Sequence, residues 1–300
     1  MSIYVIMILN TLAWSGAFIA GRIIDPASDP IVTAFLRFLI ATILLVASCL
    51  LTKKSLRLPS RSMVGLQFIL GFIGIFLWTI FFHLGLQMVP ASKASVLVTT
   101  SPIFITIMAA FFYKERITSV KAAGVFMAIA GTILVISRGD IASLLAGGFG
   151  FGEGILLLCA LSWAVFVILG KLALKQISPI VSITWSSIFG TIMLFPAALF
   201  TGNLGQCLTY SHNTWAGIVY LGVLGTFLGF SWYYKVVASL GPTRASMISC
   251  LVPPCSIVFG ILLLNEPANL SLLIGGVVTV LGVFAVNHAD SKPAKPARHD

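Results

Sequence analysis

The sequence predicts an all-α polytopic membrane protein: ten transmembrane helices arranged as two inverted five-helix repeats around a central cavity. Three observations predict it. The 300-residue chain is 59% hydrophobic and only 9% charged, with a mean hydropathy of +1.08, whereas soluble domains carry about 25% charged residues. Its apolar runs recur at close to the roughly 20 residues that a helix needs to cross a hydrocarbon core of about 30 Å. They are too long for barrel strands, the other structure that lipid tolerates. Finally, the second half of the chain repeats the first at a nearly fixed offset.

In chain order the expected spans are 3–21, 30–52, 63–86, 92–113, 119–137, 152–173, 178–200, 214–238, 243–264 and 269–288. The first opens "MSIYVIMILN", without a charged leader region or a small-residue cleavage site, and is expected to stay in the mature protein. Connections are short. The polar stretch "DSKPAKPARHD" at 290–300 is too rich in Pro, Ala and charge to bury a core and is expected to be a disordered cytoplasmic tail.

The net charge of +10 follows topology. With the N-terminus in the cytoplasm, fourteen of the eighteen Lys and Arg residues fall on the cytoplasmic side, among them Lys53, Lys54, Arg61, Lys114, Arg116, Lys171 and Lys175. Arg22, Lys93 and Arg138 fall opposite, and Arg37 lies inside a span. The positive-inside rule therefore places both termini in the cytoplasm, in an inner membrane. No basic face interleaved with aromatics is present, which excludes a nucleic-acid partner. The five cysteines show no CxxC spacing and read as structural thiols.

The repeat is carried by particular residues. Pro102 and Pro253, Glu115 and Glu266, Ala94-Ser95 and Ala245-Ser246, Gly71 and Gly222, Gly74 and Gly225, Gly124 and Gly275, and Gly131 and Gly282 each stand 151 residues apart. Nearer the start of each half the offset is 149, pairing Trp14, Arg22 and Pro30 with Trp163, Lys171 and Pro179. The division is a first unit at 1–140, a joining loop at 141–151 and a second unit at 152–289. An odd number of spans per unit forces the units into opposite orientations. That is a recurring plan of secondary transporters, with the substrate held at the repeat interface near mid-membrane.

Candidate substrate contacts follow from depth and symmetry. Asn10 and Trp14 share a face of span one, with Cys159 and Trp163 at the matching places in span six. Trp14 sits about 16 Å of rise into its span, deeper than an interfacial belt. Trp78 and Phe82 in span three and Tyr233 in span eight add aromatic surface. Ser95 and Thr99 precede Pro102, and Ser246 and Ser249 precede Pro253 and Pro254. These hydroxyls either bind solute or join helices, and the prolines are expected to kink spans four and nine as static bends or gates. Arg37 faces an anionic group or snorkels to the surface. Glu153 either couples transport to a proton or serves the start of its helix. Gly124, Ala128 and Gly131, recurring as Gly275, Thr279 and Gly282, form a small-residue stripe that reads as scaffold or as a homodimer face.

No GxxxxGK[ST], HExxH or GxSxG motif occurs, so no cofactor or metal is expected and transport draws on a gradient or an exchange. The stretches "LAWSGAFIAGR", "LRFLIA", "PASKASVLVTTSPIFITIMAAFFYKERIT", "ALSWAVFVILGK" and "GPTRASMISCLVPPCSIVFGILLLNEP" resemble the EamA-type members of the drug/metabolite transporter superfamily over residues 1–290. The resemblance implies a ten-helix basket with spans five and ten peripheral, and export of amino acids or related metabolites. The expected activity is thus alternating-access secondary export of a small solute from the lipid bilayer's inner side, with a proton or counter-substrate as partner and no enzymatic reaction. Import or exchange of a drug, sugar or nucleotide derivative, a channel, and a membrane-embedded enzyme are the alternatives.

Overall fold

The computed structural model describes residues 2–56, 60–88, 94, 97–137, 139–142, 149–264 and 270–288. Among these residues the regular elements are helices, numbered here as α1 (Ile3–Ile23), α2 (Pro30–Leu51), α3 (Arg61–Met88), α4 (Ser101–Tyr113), α5 (Ser119–Ile136), α6 (Phe151–Ala173), α7 (Pro179–Phe200), α8 (His212–Leu240), α9 (Pro242–Leu264) and α10 (Leu270–His288). Eight are long and apolar enough to cross a membrane; α4 and the apolar part of α10, Leu273–His288, are shorter. The protein is an all-helical, multi-pass membrane protein. Large apolar side chains such as Phe126, Phe200, Val277 and Phe284 stand exposed on the outside, where bilayer rather than water meets them.

Helix starts follow local rules. Pro30 and Pro179 open α2 and α7, where a missing N–H costs nothing. The Asp29 carboxylate caps α2 by accepting from the backbone N–H groups of Ile31 and Val32.

Span four departs from expectation. A helical stretch at Leu97 and Val98 gives way to a turn at Thr99 and Thr100, and α4 begins afresh at Ser101. Pro102 therefore occupies a first turn and does not kink a continuous helix, because its missing N–H falls among donors that have no intrahelical partner. Pro253 and Pro254 do lie inside a helix, α9. Pro254 withdraws the N–H that the Cys250 carbonyl would otherwise receive, and Thr132 Oγ1 of α5 donates to that carbonyl at 3.2 Å instead. Ser15 Oγ of α1 donates to Val252 O, two residues along, at 3.1 Å. Thr132→Val should therefore lower stability by about 1 kcal/mol, as read from unfolding of the purified protein, with less than additive loss when combined with Pro254→Ala.

Two segments escaped sequence reading. Phe72–Leu77 within α3 and Leu221–Leu228 within α8 are π-helical, and they occupy corresponding places in the two halves. Each carries one of the repeated glycine pairs, Gly71/Gly74 or Gly222/Gly225, at or beside it. A Cβ on Gly71 would meet Ser186 O of α7 at 2.6 Å, and one on Gly222 would meet Arg37 O of α2 at 3.1 Å.

The halves interlace. Helix α1 packs on α8 and α9, as α6 packs on α3 and α4; α2 packs on α8, as α7 packs on α3. The small-residue stripe is consumed within the chain, where it seats α5 on α10. A Cβ on Gly124 would fall 2.9 Å from Gly282 O, and one on Gly131 would fall 2.6 Å from Gly275 O. The stripe is thus scaffold and no longer available as a face for a second copy.

Candidate functional site

Trp14 of α1 and Trp163 of α6, related by the repeat, meet edge to face with ring centroids 5.9 Å apart. Around them gather Tyr233 and Phe230 of α8, at 5.5 and 5.6 Å from Trp163, and Trp78 of α3 at 6.3 Å. Phe82 stacks on Trp78 at 5.3 Å. These are contact distances for aromatic rings, so in this state the rings pack on one another. Trp163 is 8% exposed and Tyr233 is fully buried. Phe166, 5.4 Å from Trp163, and Phe230 belong to the cluster, yet neither stood out in the sequence, since a Phe in an apolar helix carries no distinguishing signal.

Polar contacts knit the same region. Trp14 Nε1 donates to Gly225 O at 2.9 Å, in the π-helical part of α8. Asn10 Nδ2 donates to Gly229 O at 2.7 Å, while at the repeat-related position Cys159 Sγ donates to Trp78 O at 3.7 Å. Asn10 is fully buried, and its Oδ1, with Ser231 Oγ and the Tyr234 hydroxyl further along α8, finds no hydrogen-bond partner among the described residues. Each such orphan costs about 1–3 kcal/mol.

Arg37 borders the cluster, whereas the other expected site residues make separate contacts. Arg37 is partly buried, with Nε donating to Thr226 Oγ1 in the π-helical segment at 2.7 Å and its guanidinium 5.3 Å from the Phe38 ring; it is tied to α8. Glu153 Oε2 accepts from the Gly150 backbone N–H at 2.9 Å, as an N3 carboxylate closing a helix start. Ser246 Oγ donates back to Thr243 O of its own helix, and Ser249 is partly buried on α9. Thr99 is buried in the turn before α4. Ser95, Glu266 and the tail at 290–300 lie outside the described residues. Glu115 pins loops: it accepts from Thr243 Oγ1 at 2.8 Å and pairs with Lys121 at 3.4 Å. The turn it meets needs Gly241, whose φ is +86° and whose Cβ would fall 2.9 Å from Glu115 Oε1.

A pocket of about 200 Å³ opens between the start of α2, the last turns of α3 and the end of α7, with Asp29 and His83 in its lining. Asn203 Nδ2 donates to Asp29 Oδ2 at 2.9 Å. Burial pushes the Asp29 carboxyl up, but the hydrogen bonds from Asn203 and from the Val32 and Ile31 backbone outweigh it, so the group lies below the ordinary carboxylate value. Asp29 did not stand out in the sequence.

A description of the EamA-like transporter family matches residues 1–137 and, a second time, residues 150–288. The chain belongs to the EamA-like transporter family. A relative from Archaeoglobus fulgidus, named as an uncharacterized transporter, is 30% identical over 94% of this EamA chain and 96% of its own. A probable terminal-alkyne amino-acid exporter from Streptantibioticus cattleyicolor is 27% identical over 94% of this chain and 92% of its own. A solved structure titled only as the crystal structure of a protein superposes with a TM-score of 0.75 at 21% identity, covering 95% of this chain and 96% of that one. It extends the likeness to the fold. The EamA chain is accordingly a transporter.

Proposed function

We propose that this protein exports amino acids or related small amphipathic metabolites from the cytoplasm across the inner membrane. It does so by alternating access between two inverted five-helix units, residues 1–140 and 152–289, with both termini cytoplasmic. The observation that carries the reading is that repeat-related residues meet each other. Trp14 touches Trp163, and Thr42 Oγ1 lies 2.9 Å from Thr191 Oγ1, a pair 149 residues apart like the tryptophans. Gly124 approaches Gly282 while Gly131 approaches Gly275, the crosswise pairing that a two-fold relation requires. If residues on such an axis are substrate-facing, exchanging the conformations of the two units turns a site closed to one side into a site closed to the other at small energetic cost.

The aromatic cluster supplies an apolar face for a side chain, and the orphaned oxygens beside it supply hydrogen bonds that solute would satisfy. The likeness to an amino-acid exporter favours an amino acid over a sugar. The residual proposals are that Glu153 or Arg37 takes part in coupling to a proton or counter-substrate.

Cells loaded with dipeptides that raise cytoplasmic amino acids should release particular amino acids faster when they express the protein than when they carry an empty vector. Equal release across the panel would end the exporter reading. A C-terminal reporter active only in the cytoplasm should be active, and the reverse would overturn the orientation.

A further inference from the structure

We propose that the pocket between α2, α3 and α7 binds the protonated amine of the exported solute, with Asp29 as its counter-charge and His83 as a second acceptor. This rests on the exporter reading and names the chemical group that this subsite recognises.

The first ground is charge. Asp29 Oδ1 accepts from Ile31 and Val32 N–H at 2.8 and 3.1 Å, and Oδ2 accepts from Asn203 Nδ2 at 2.9 Å. Thr201 also hydrogen-bonds the carboxylate; all of these donors are neutral, and among the described residues no Lys or Arg lines the pocket. The N-terminus of α2 contributes only about half a positive charge, against a full negative one on the carboxylate. Among the described residues no cation contacts the carboxylate, so its negative charge is not neutralised by an ion pair.

The second ground is the histidine. His83 Nδ1 lies 2.8 Å from the Thr79 carbonyl, a group that only accepts, so Nδ1 carries the hydrogen and Nε2 of the neutral ring is an acceptor. An ammonium group has three donors and no acceptor, which matches a carboxylate and an imidazole nitrogen better than a carboxylate, phosphate or hydroxyl solute would. Gln87 adds an amide, and Ile31, Ile80 and Leu84 give walls for a hydrocarbon body.

The third ground is size. A volume of about 200 Å³ lies below the range of roughly 300–1,000 Å³ that takes drug-sized ligands. It suits an amine with a short hydrocarbon body, and Arg37, whose charge reaches His83, lies outside its lining.

The test uses full-length protein in lipid nanodiscs and titration calorimetry with three probes of one hydrocarbon skeleton: 3-methylbutylamine, 3-methylbutanol and 3-methylbutanoate. The amine should bind saturably and the other two should not. Asp29→Asn, which preserves a good helix cap, should weaken amine binding by about tenfold or more, the scale of a charge-assisted contact. Equal binding of the alcohol or the carboxylate, or unchanged amine affinity in Asp29→Asn, overturns the proposal. Leucine release distinguishes the two readings. Release that continues alongside amine binding indifferent to Asp29 removes the subsite and leaves the exporter. Asp29-dependent amine binding in a protein that releases no amino acid supports the subsite and removes the exporter.

Discussion

Trp163→Ala should abolish or re-specify solute release and lower the stability of the purified protein by about 3–5 kcal/mol, the usual cost of emptying a buried aromatic site. Its ring touches five others, those of Trp14, Trp78, Phe166, Phe230 and Tyr233, at 5.4 to 6.3 Å, and each such contact contributes about 0.5–1.5 kcal/mol beyond burial. These partners come from α1, α3, α6 and α8, so one truncation loosens the junction of both halves. Trp163→Phe separates the two effects: it retains a ring and most of the packing, so the protein should still reach the membrane, while its solute preference shifts. Comparing release by dipeptide-loaded cells with thermal unfolding of the same variants makes the check. Unchanged transport kinetics in Trp163→Ala would show that the cluster is packing alone.

Gly131→Ala should be strongly destabilising. Its new carbon would sit 2.5 Å from Thr279 N and 2.6 Å from Gly275 O. Backbone atoms cannot rotate away, so α5 and α10 must move apart along a seam that lacks a hydrophobic driving force and depends on close packing. Overpacking of this kind costs about 1–3 kcal/mol, with further loss as neighbouring contacts open. The helix propensity gained by replacing glycine, about 1 kcal/mol, does not offset that. Gly154→Ala is the matched control, because nothing lies within 4 Å of the added carbon, and it should raise stability by up to about 1 kcal/mol. Thermal unfolding of the two variants should move in opposite directions; a shared direction would show that the seam tolerates a methyl.

Much of the architecture was legible because a bilayer imposes a coarse code. A run of 20 apolar residues has one stable outcome in lipid, and Pro30 and Pro179 mark where two such runs begin. The tryptophan pair was legible because the repeat register predicts which residues correspond. The role of Pro102 was not: whether a proline kinks a helix or opens one depends on whether the residues before it stay helical, and Thr99 and Thr100 turn instead. The stripe of Gly124 and Gly131 showed that something packs closely, without showing that its partner is α10 of the same chain.

What the sequence by itself determined is the family, the membrane setting and the repeat, each written in composition or in residues at a fixed spacing. Tertiary structure alone decided which repeat-related residues touch. It bent α3 and α8 into π-helical turns, and it brought Asp29 of α2 to His83 of α3 across a pocket. The physical reason is range. Hydropathy and turn chemistry act between neighbours along the chain, whereas a contact between Trp14 and Trp163 exists only after helices distant in sequence have closed on each other, and no local pattern encodes the gap that they leave.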